Sequence, residues 1–409
     1  VEAIRGGVEL ISDRRIDAVA NPLHSGVFGV LIQLLAGFAL GWVSMQSASA
    51  GEAQGFAVSW FQPDFYYGDG DCPDGVNPEI DWKAVFLLEG KSAEEIARLI
   101  AHPNSLDYRN AAINRGPHGE NVCAMPTVVP DPGLKTVQGR LAYGLNLDGT
   151  EDGAATAKSC KHEKFVSPDG VQGIDNQLYR VMGCSKSYRG KDHSGFVSGY
   201  INERMRTEGM RTYLIEITGM KDPRNDDDVE VGFYVGADPL VPDSGAGVQF
   251  DTTQRINKDP RWRNLVHGRI KDGVLTTDVF ELNLLGDPMW VPEFHFRSAR
   301  LRLELLADGT TKGVVGGYLD IPSLYFDAAK SPLTETLSSG NCPATYYAFK
   351  RMADGYPDPK TGECDFISTA FAIEAVPAFL VHPPSDGKAK TAQAGQGTDR
   401  MVATPSRGD

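Results

Sequence analysis

Three stretches of the chain crowd carboxylates closely enough to do chemistry. The first is Gly68-Asp69-Gly70-Asp71-Cys72-Pro73-Asp74-Gly75, where Asp69, Asp71 and Asp74 sit among turn residues. Closely spaced acids on a glycine-rich turn can wrap a hard cation such as Ca2+, which takes about six to eight oxygens in flexible geometry. The spacing departs from a helix-loop-helix calcium loop, because Pro73 stands where a third ligand belongs and position 80 is Ile80. A solvated turn beside a disulfide uses the same residues. The second stretch is Asp226, Asp227 and Asp228, placed between two predicted strands. Alternate side chains there point opposite ways, so at most two could face one ion. The third group is Asp148, Glu151, Asp152 and Asp175, which could converge across loops. Asp175 precedes the apolar Leu178, Val181 and Met182, so a helix cap is its simpler reading.

Other residue types carry weaker chemistry. Trp60, Tyr66 and Tyr67, with Phe61 and Phe65, precede the first acidic loop. Rings beside carboxylates suit a sugar-binding platform, and packing onto a neighbouring sheet explains them equally well. Asp192-His193-Ser194 holds the residue types of a hydrolase triad, but triads converge in space and no G-x-S-x-G elbow is present. His118, His162, His267 and His295 are scattered singly, and H-E-x-x-H is absent. His295 lies between Phe294 and Phe296 on a predicted strand and projects opposite to both. There is no P-loop and no dinucleotide fingerprint, so nucleotide chemistry has no support.

The elements that must position these residues begin with an address. Arg14 and Arg15 precede an apolar run from Val27 to Val43, and Ser47-Ala48-Ser49-Ala50 follows. That order predicts a signal peptide over residues 1–50, cut after Ala50. Seventeen apolar residues fall short of the roughly 20 a spanning helix needs, so no membrane span is expected after removal. No cysteine stands at the cut, so no lipid anchor is expected. The chain carries 40 Lys+Arg against 54 Asp+Glu, a net charge of −14 with no basic cluster. Nucleic acid and anionic membranes are therefore poor partners. All six cysteines (Cys72, Cys123, Cys160, Cys184, Cys342 and Cys364) follow the expected cut. An even count in an exported chain predicts three disulfides. Sequence proximity favours Cys160–Cys184 and Cys342–Cys364, leaving Cys72–Cys123.

Hydrophobic periodicity divides the remainder. Residues 51–133 read as a loop-rich, helical leading segment, with a capping box at Ser92 and Glu95 and a second helix over Asp81–Leu88. Residues 134–322 read as strands: Leu141–Leu147, Thr212–Thr218, Val229–Val235, Val248–Phe250, Gly268–Ile270 and Val279–Leu284. The clearest hairpin joins Ala299–Leu306 to Thr311–Leu319 around Asp308-Gly309. Residues 323–383 read as a small helical appendage stapled by a disulfide, with a helix over Pro343–Ala353. Residues 384–409 read as a disordered tail. The expected fold is mainly β, an antiparallel sandwich or distorted barrel with small helical segments at both ends.

Three motifs carry a resemblance. Gly144-Leu145-Asn146-Leu147-Asp148-Gly149, Ser167-Pro168-Asp169-Gly170 running on to Gly173-Ile174-Asp175-Asn176-Gln177-Leu178, and Asn225-Asp226-Asp227-Asp228-Val229 resemble a class of exported bacterial proteins without assigned function. The resemblance covers about residues 140–235. It implies export and a single structural unit, and no activity. The expectation for the whole chain is an exported, periplasmic or extracellular, non-enzymatic binding or scaffold protein, with calcium as a possible stabiliser. Its expected partner is a glycan or an envelope protein. The alternative is a secreted hydrolase acting on glycans through acidic-loop carboxylates.

Overall fold

The computed structural model describes residues 52–384, apart from 78–82, 84–85, 88–89, 104, 187, 190–195, 210, 246, 288–290 and 331–340. The expected signal segment, most of the Asp81–Leu88 helix, Asp192-His193-Ser194 and the tail beyond Pro384 lie outside the described residues.

Eight strands close into an antiparallel barrel. In chain order they are β1 (Glu52–Pro63), β2 (Tyr213–Met220), β3 (Asn225–Val235), β5 (Arg263–Lys271), β6 (Val274–Thr277), β8 (Glu293–Leu305), β9 (Thr311–Asp320) and β11 (Cys364–Val381). Each pairs with the next, and β11 returns to β1 with Phe56 opposite Pro377 and Phe61 opposite Ile373. Three short strands lie off the ring. The strand β4 (Thr252–Arg255) runs parallel to the end of β11, β7 (Phe280–Leu285) pairs with β8, and β10 (Gly355–Pro357) pairs with the start of β11. Closure removes the exposed edges that open sheets must otherwise protect.

Alternation explains the strands. In β8, Leu301 and Leu303 are buried while Arg300, Arg302 and Glu304 reach outward. The hairpin to β9 has Leu305 opposite Thr311, and Gly309 at φ +85° supplies the left-handed turn residue. An eight-stranded barrel is just wide enough for its side chains to fill. Here Phe61 of β1 stacks on Phe371 of β11 at 5.0 Å and meets Phe294 of β8 across the lumen at 6.3 Å. Tyr213 and Phe296 complete this aromatic filling, so the lumen is a packed core.

The structure departs from the sequence expectations at both ends. Residues 52–63 form a barrel strand within the leading segment. Within the expected appendage, residues 364–381 form the longest barrel strand. The helices α5 (Ile321–Lys330) and α6 (Cys342–Met352) are present, but they are inserted between barrel strands, and the described residues form one compact unit. Leu141–Leu147 is not a strand; it makes only single bridges at Leu141 and Leu145. Val248–Phe250 likewise contributes one bridge, from Val248 to Pro242. Earlier in the chain come α1 (Ala93–Ala101), α2 (Leu106–Ile113), α3 (Gln177–Met182) and α4 (Phe196–Thr207). Ser92 caps α1 by accepting from the Glu95 amide, as its sequence signature requires.

All six cysteines are paired, in a connectivity that proximity did not anticipate: Cys72–Cys184, Cys123–Cys342 and Cys160–Cys364, with separations of 112, 219 and 204 residues. Proximity in sequence fails because both ends of the chain enter one barrel. The intervening loops then find their partners across the fold. Cys160 bonds the first residue of β11, and Cys123 bonds the first residue of α6.

Candidate functional site

Residues 141–178 wrap against one side of the barrel and build a buried charged cluster. Ser167-Pro168-Asp169-Gly170 makes a turn that folds the chain back, so Phe165 and Ile174 exchange both backbone hydrogen bonds. Residues on either side alternate. Phe165 is buried in the core, while His162 and Lys164 point the other way, toward Asp175. A second bridge, Leu145 to Asp175, brings in Asp148. A third, Ser159 to Gly355, lays this loop along β10 and brings in Asp354.

Lys164 sits between two carboxylates. Its Nζ donates to Asp148 Oδ1 at 2.7 Å and to Asp175 Oδ1 at 2.5 Å. Both carboxylate side chains are fully buried. Asp148 also accepts from the Thr150 amide and from the hydroxyls of Thr150 and Ser159. Asp175 Oδ2 accepts from the Leu147 amide at 2.7 Å. His162 Nε2 lies 2.7 Å from Asp175 Oδ1 and 3.6 Å from Asp354 Oδ2, and Nδ1 lies 2.8 Å from the Cys160 carbonyl. Both ring nitrogens therefore face oxygens, which favours the imidazolium with both protons in place. Asp354 Oδ1 accepts from the Ser368 amide, whereas its Oδ2 is buried with no hydrogen-bond partner. Tyr318, whose hydroxyl is also buried without a partner, is held above the ordinary tyrosine range by burial and by the fields of Asp354, Asp175 and Asp148.

Asp148, His162 and Asp175 present their ligand atoms within 4.8 Å of one another, the one group of this kind among the described residues. A cation here would compete with an ammonium already seated on both carboxylates. Lys164 supplies to Asp148 and Asp175 the counter-charge that a metal would otherwise bring. Its wall at His162 borders a pocket of about 280 Å3 with Arg180, Gln177 and Met352.

The titrations run in a definite direction. Burial pushes Asp354 up to about 7 from 3.8, against the field of His162 and the Ser368 hydrogen bond. Burial pushes His162 down, but the hydrogen bond to Asp175 and the field of Asp354 outweigh it, so the net shift is upward from 6.5. For Asp354 the stability contribution is full below pH 3.8 and is lost as pH rises through about 7. For His162 it is full below 6.5 and is lost as pH rises through the folded value. Asp148 runs the other way. Burial raises it, Lys164 and its other hydrogen bonds lower it further, and its contribution is lost only on acidification below the carboxylate range. Unfolding free energy should therefore fall between pH 5 and pH 8, and Asp354→Asn should flatten that fall. Urea titrations at the two pH values check it; equal slopes in wild type and variant would remove Asp354 from the account.

The other sequence candidates are placed differently. Asp71 is buried and accepts from the Tyr179 hydroxyl and the Gly68 amide, while Asp69 and Asp74 are exposed. Asp226, Asp227 and Asp228 belong to β3 and not to a loop. A bulge before Val229 turns Asp226 inward, where it accepts from the Lys221 and Asp228 amides, and leaves Asp227 and Asp228 exposed. Of the third acidic group, Asp148 and Asp175 meet, while Glu151 and Asp152 stay on the surface. Asn176, not Asp175, caps α3, accepting from the Tyr179 amide. Trp60 is buried in β1 beneath Arg206. Tyr67 is half-buried against Phe65 and Tyr179, with its hydroxyl on the Tyr188 carbonyl. Tyr66 is half-buried with its ring 5.6 Å from Tyr143. His118, His267 and His295 are exposed and apart from the cluster.

His162, Lys164 and Asp354 were not singled out as partners from sequence. The signal that could have found two of them is the turn at 167–170: pairing 165 with 174 sets 164 opposite 175, with 162 on the same face. Two of the three motifs behind the resemblance do meet here, since residues 144–149 and 167–178 pack together through Asp175, while 225–229 lies in β3. Comparison with family models, curated proteins and solved structures found no match to the chain.

Proposed function

We propose that this is an exported, non-enzymatic binding or scaffold protein that works in an oxidising compartment outside the cytoplasm. The observation that carries the proposal is the set of three disulfides, which uses every cysteine and ties segments more than a hundred residues apart. Such bonds persist where thiols are not kept reduced. Two further features support it: no described helix is long and apolar enough to cross a membrane, and Asp148 and Asp175 are both bonded by Lys164, an arrangement that holds a loop on a barrel. Alkylation of the native protein without reduction tests the compartment, and intact mass tests the processing. The expected results are no labelled cysteine and a mature start at Gly51. Six reactive thiols in protein taken from its native host would overturn the proposal.

The acidic loops make calcium a separate test. If they bind it, calcium chloride raises the melting temperature beyond sodium chloride of equal ionic strength, and Asp71→Asn or Asp227→Asn removes the gain. Asp71 already serves Tyr179, and Lys164 already serves Asp148 and Asp175. The expected result is therefore no shift beyond that of matched salt.

The second reading is a secreted hydrolase acting on glycans. Burial pushes Asp64 up to about 7, the range of a general acid, and its field helps to raise Tyr143, which pairs with Tyr66. Hydrolysis of an aryl-glycoside panel that Asp64→Asn abolishes would move the conclusion there.

A further inference from the structure

A pocket of about 590 Å3 opens where β2 begins and β3 and β7 end. Its size is that of a small-molecule site. Arg211 lines it with only 3% of its surface exposed, and none of Nε, Nη1 and Nη2 has a hydrogen-bond partner. Asp287 is the nearby counter-charge, with Oδ2 3.9 Å from Nη1, beyond hydrogen-bond reach. A buried guanidinium carries five donors, and leaving them unmet is costly. Arg255 and Lys258 stand at the exposed rim, Arg255 already paired with Asp238. Val235, Ile256, Leu285 and Val381 give the same pocket apolar walls.

We infer that this pocket binds a small amphipathic anion, a carboxylate or phosphate monoester on a short apolar body, with the oxyanion on Arg211. The fork of a guanidinium matches both oxyanions through paired N–H donors. Lys258 at the rim favours negative charge on approach, and the apolar walls hold the body. The inference rests on the binding-protein reading and adds the ligand class.

Calorimetric titration of the full chain with octanoate, octyl phosphate, inorganic phosphate and octanol tests it. Octanoate or octyl phosphate should bind more tightly than octanol, and the preference between the two identifies the head group. Arg211→Met keeps an apolar stem of similar length and should weaken anion binding at least about tenfold while leaving octanol unchanged. Arg211→Lys, which keeps the charge and loses the fork, should fall between. Circular dichroism melts of both variants confirm folding, and Arg204, whose Nε lies 3.8 Å from Asp287 Oδ2, remains as the counter-charge to Asp287 when Arg211 is replaced by methionine. Equal affinity for octanol and octanoate would overturn the anion site while leaving a binding protein. Undiminished anion binding in Arg211→Met would overturn the assignment of Arg211. Binding of inorganic phosphate as tight as octyl phosphate would overturn the amphipathic ligand. No binding of any probe would overturn this inference and leave the export reading, which stands on the disulfides, in place.

Discussion

Replacing Cys160 and Cys364 together by alanine should destabilise the whole protein by about 4–5 kcal/mol and lower its melting temperature on the order of 10 °C. The bond joins residues 204 apart. With Cys123–Cys342 intact, the shortest covalent route between its ends runs back from 160 to 123, across that bond and on from 342 to 364, roughly sixty residues. The chain-entropy cost of closing a loop of that length is about 4.3 kcal/mol. The bond also fixes the strip that carries His162 and Lys164 against β10, where the Cys160 amide donates to the Asp354 carbonyl and the Tyr356 amide to the Lys158 carbonyl. Its loss should therefore release barrel and loop together. Local staples would have predicted the opposite order, with a C-terminal appendage loosening first. Differential scanning calorimetry of wild type and the double variant measures the effect. A shift below about 2 °C would mean that the loop is held by its hydrogen bonds alone.

The barrel was legible in sequence where one face is wet. The strands β3, β5 and β8 alternate apolar and polar residues, and Asp308-Gly309 announces the turn from β8 into β9. The strands β1 and β11 were hidden because both faces are covered. In β11, Ile367–Phe371 is a continuous buried run, and such a run reads equally as a core helix or a loop. Missing those two strands also concealed closure, and with closure the disulfide pairing. The charged cluster was half visible. Asp148 and Asp175 drew notice because carboxylates are conspicuous, while Lys164 and His162 look like ordinary surface residues until the 167–170 turn is folded. Asp354 was hidden more deeply. It reads as a helix-terminating Asp-Gly, yet β10 and Ser368 bury it completely. Trp60 shows the converse. Its aromatic neighbours suggested an exposed platform, but its position in a strand with the barrel on one side and α4 on the other consumes the ring.

Lys164→Met should cost about 3–5 kcal/mol at pH 7, the penalty for breaking a buried ion pair by removing one partner. Methionine fills most of the volume and makes no charge, so the loss reports on the ammonium rather than on a cavity. Two carboxylates with fully buried side chains would then face one another with His162 as the remaining cation. Like charges at that range raise the pKa of at least one of them. The variant's deficit should therefore shrink as pH falls from 7 toward 5, because protonation of that carboxyl removes the repulsion in the folded state. Wild type gains nothing this way from Asp148, which Lys164 holds below the ordinary carboxylate range. Adding Asp148→Asn to Lys164→Met should recover part of the loss, since the amide keeps the shape, its oxygen can still accept from Thr150 and its NH2 can donate to the Ser159 hydroxyl, while one charge is gone. Calcium gives a second sign test. The position vacated by Nζ lies between two carboxylates, so millimolar calcium should stabilise the single variant more than matched sodium chloride does and leave wild type unmoved. Urea unfolding of the three proteins at pH 5 and pH 7 decides the matter. A single variant within 1 kcal/mol of wild type at pH 7, with no gain on acidification, would mean that Lys164 rests on the two carboxylates without balancing them.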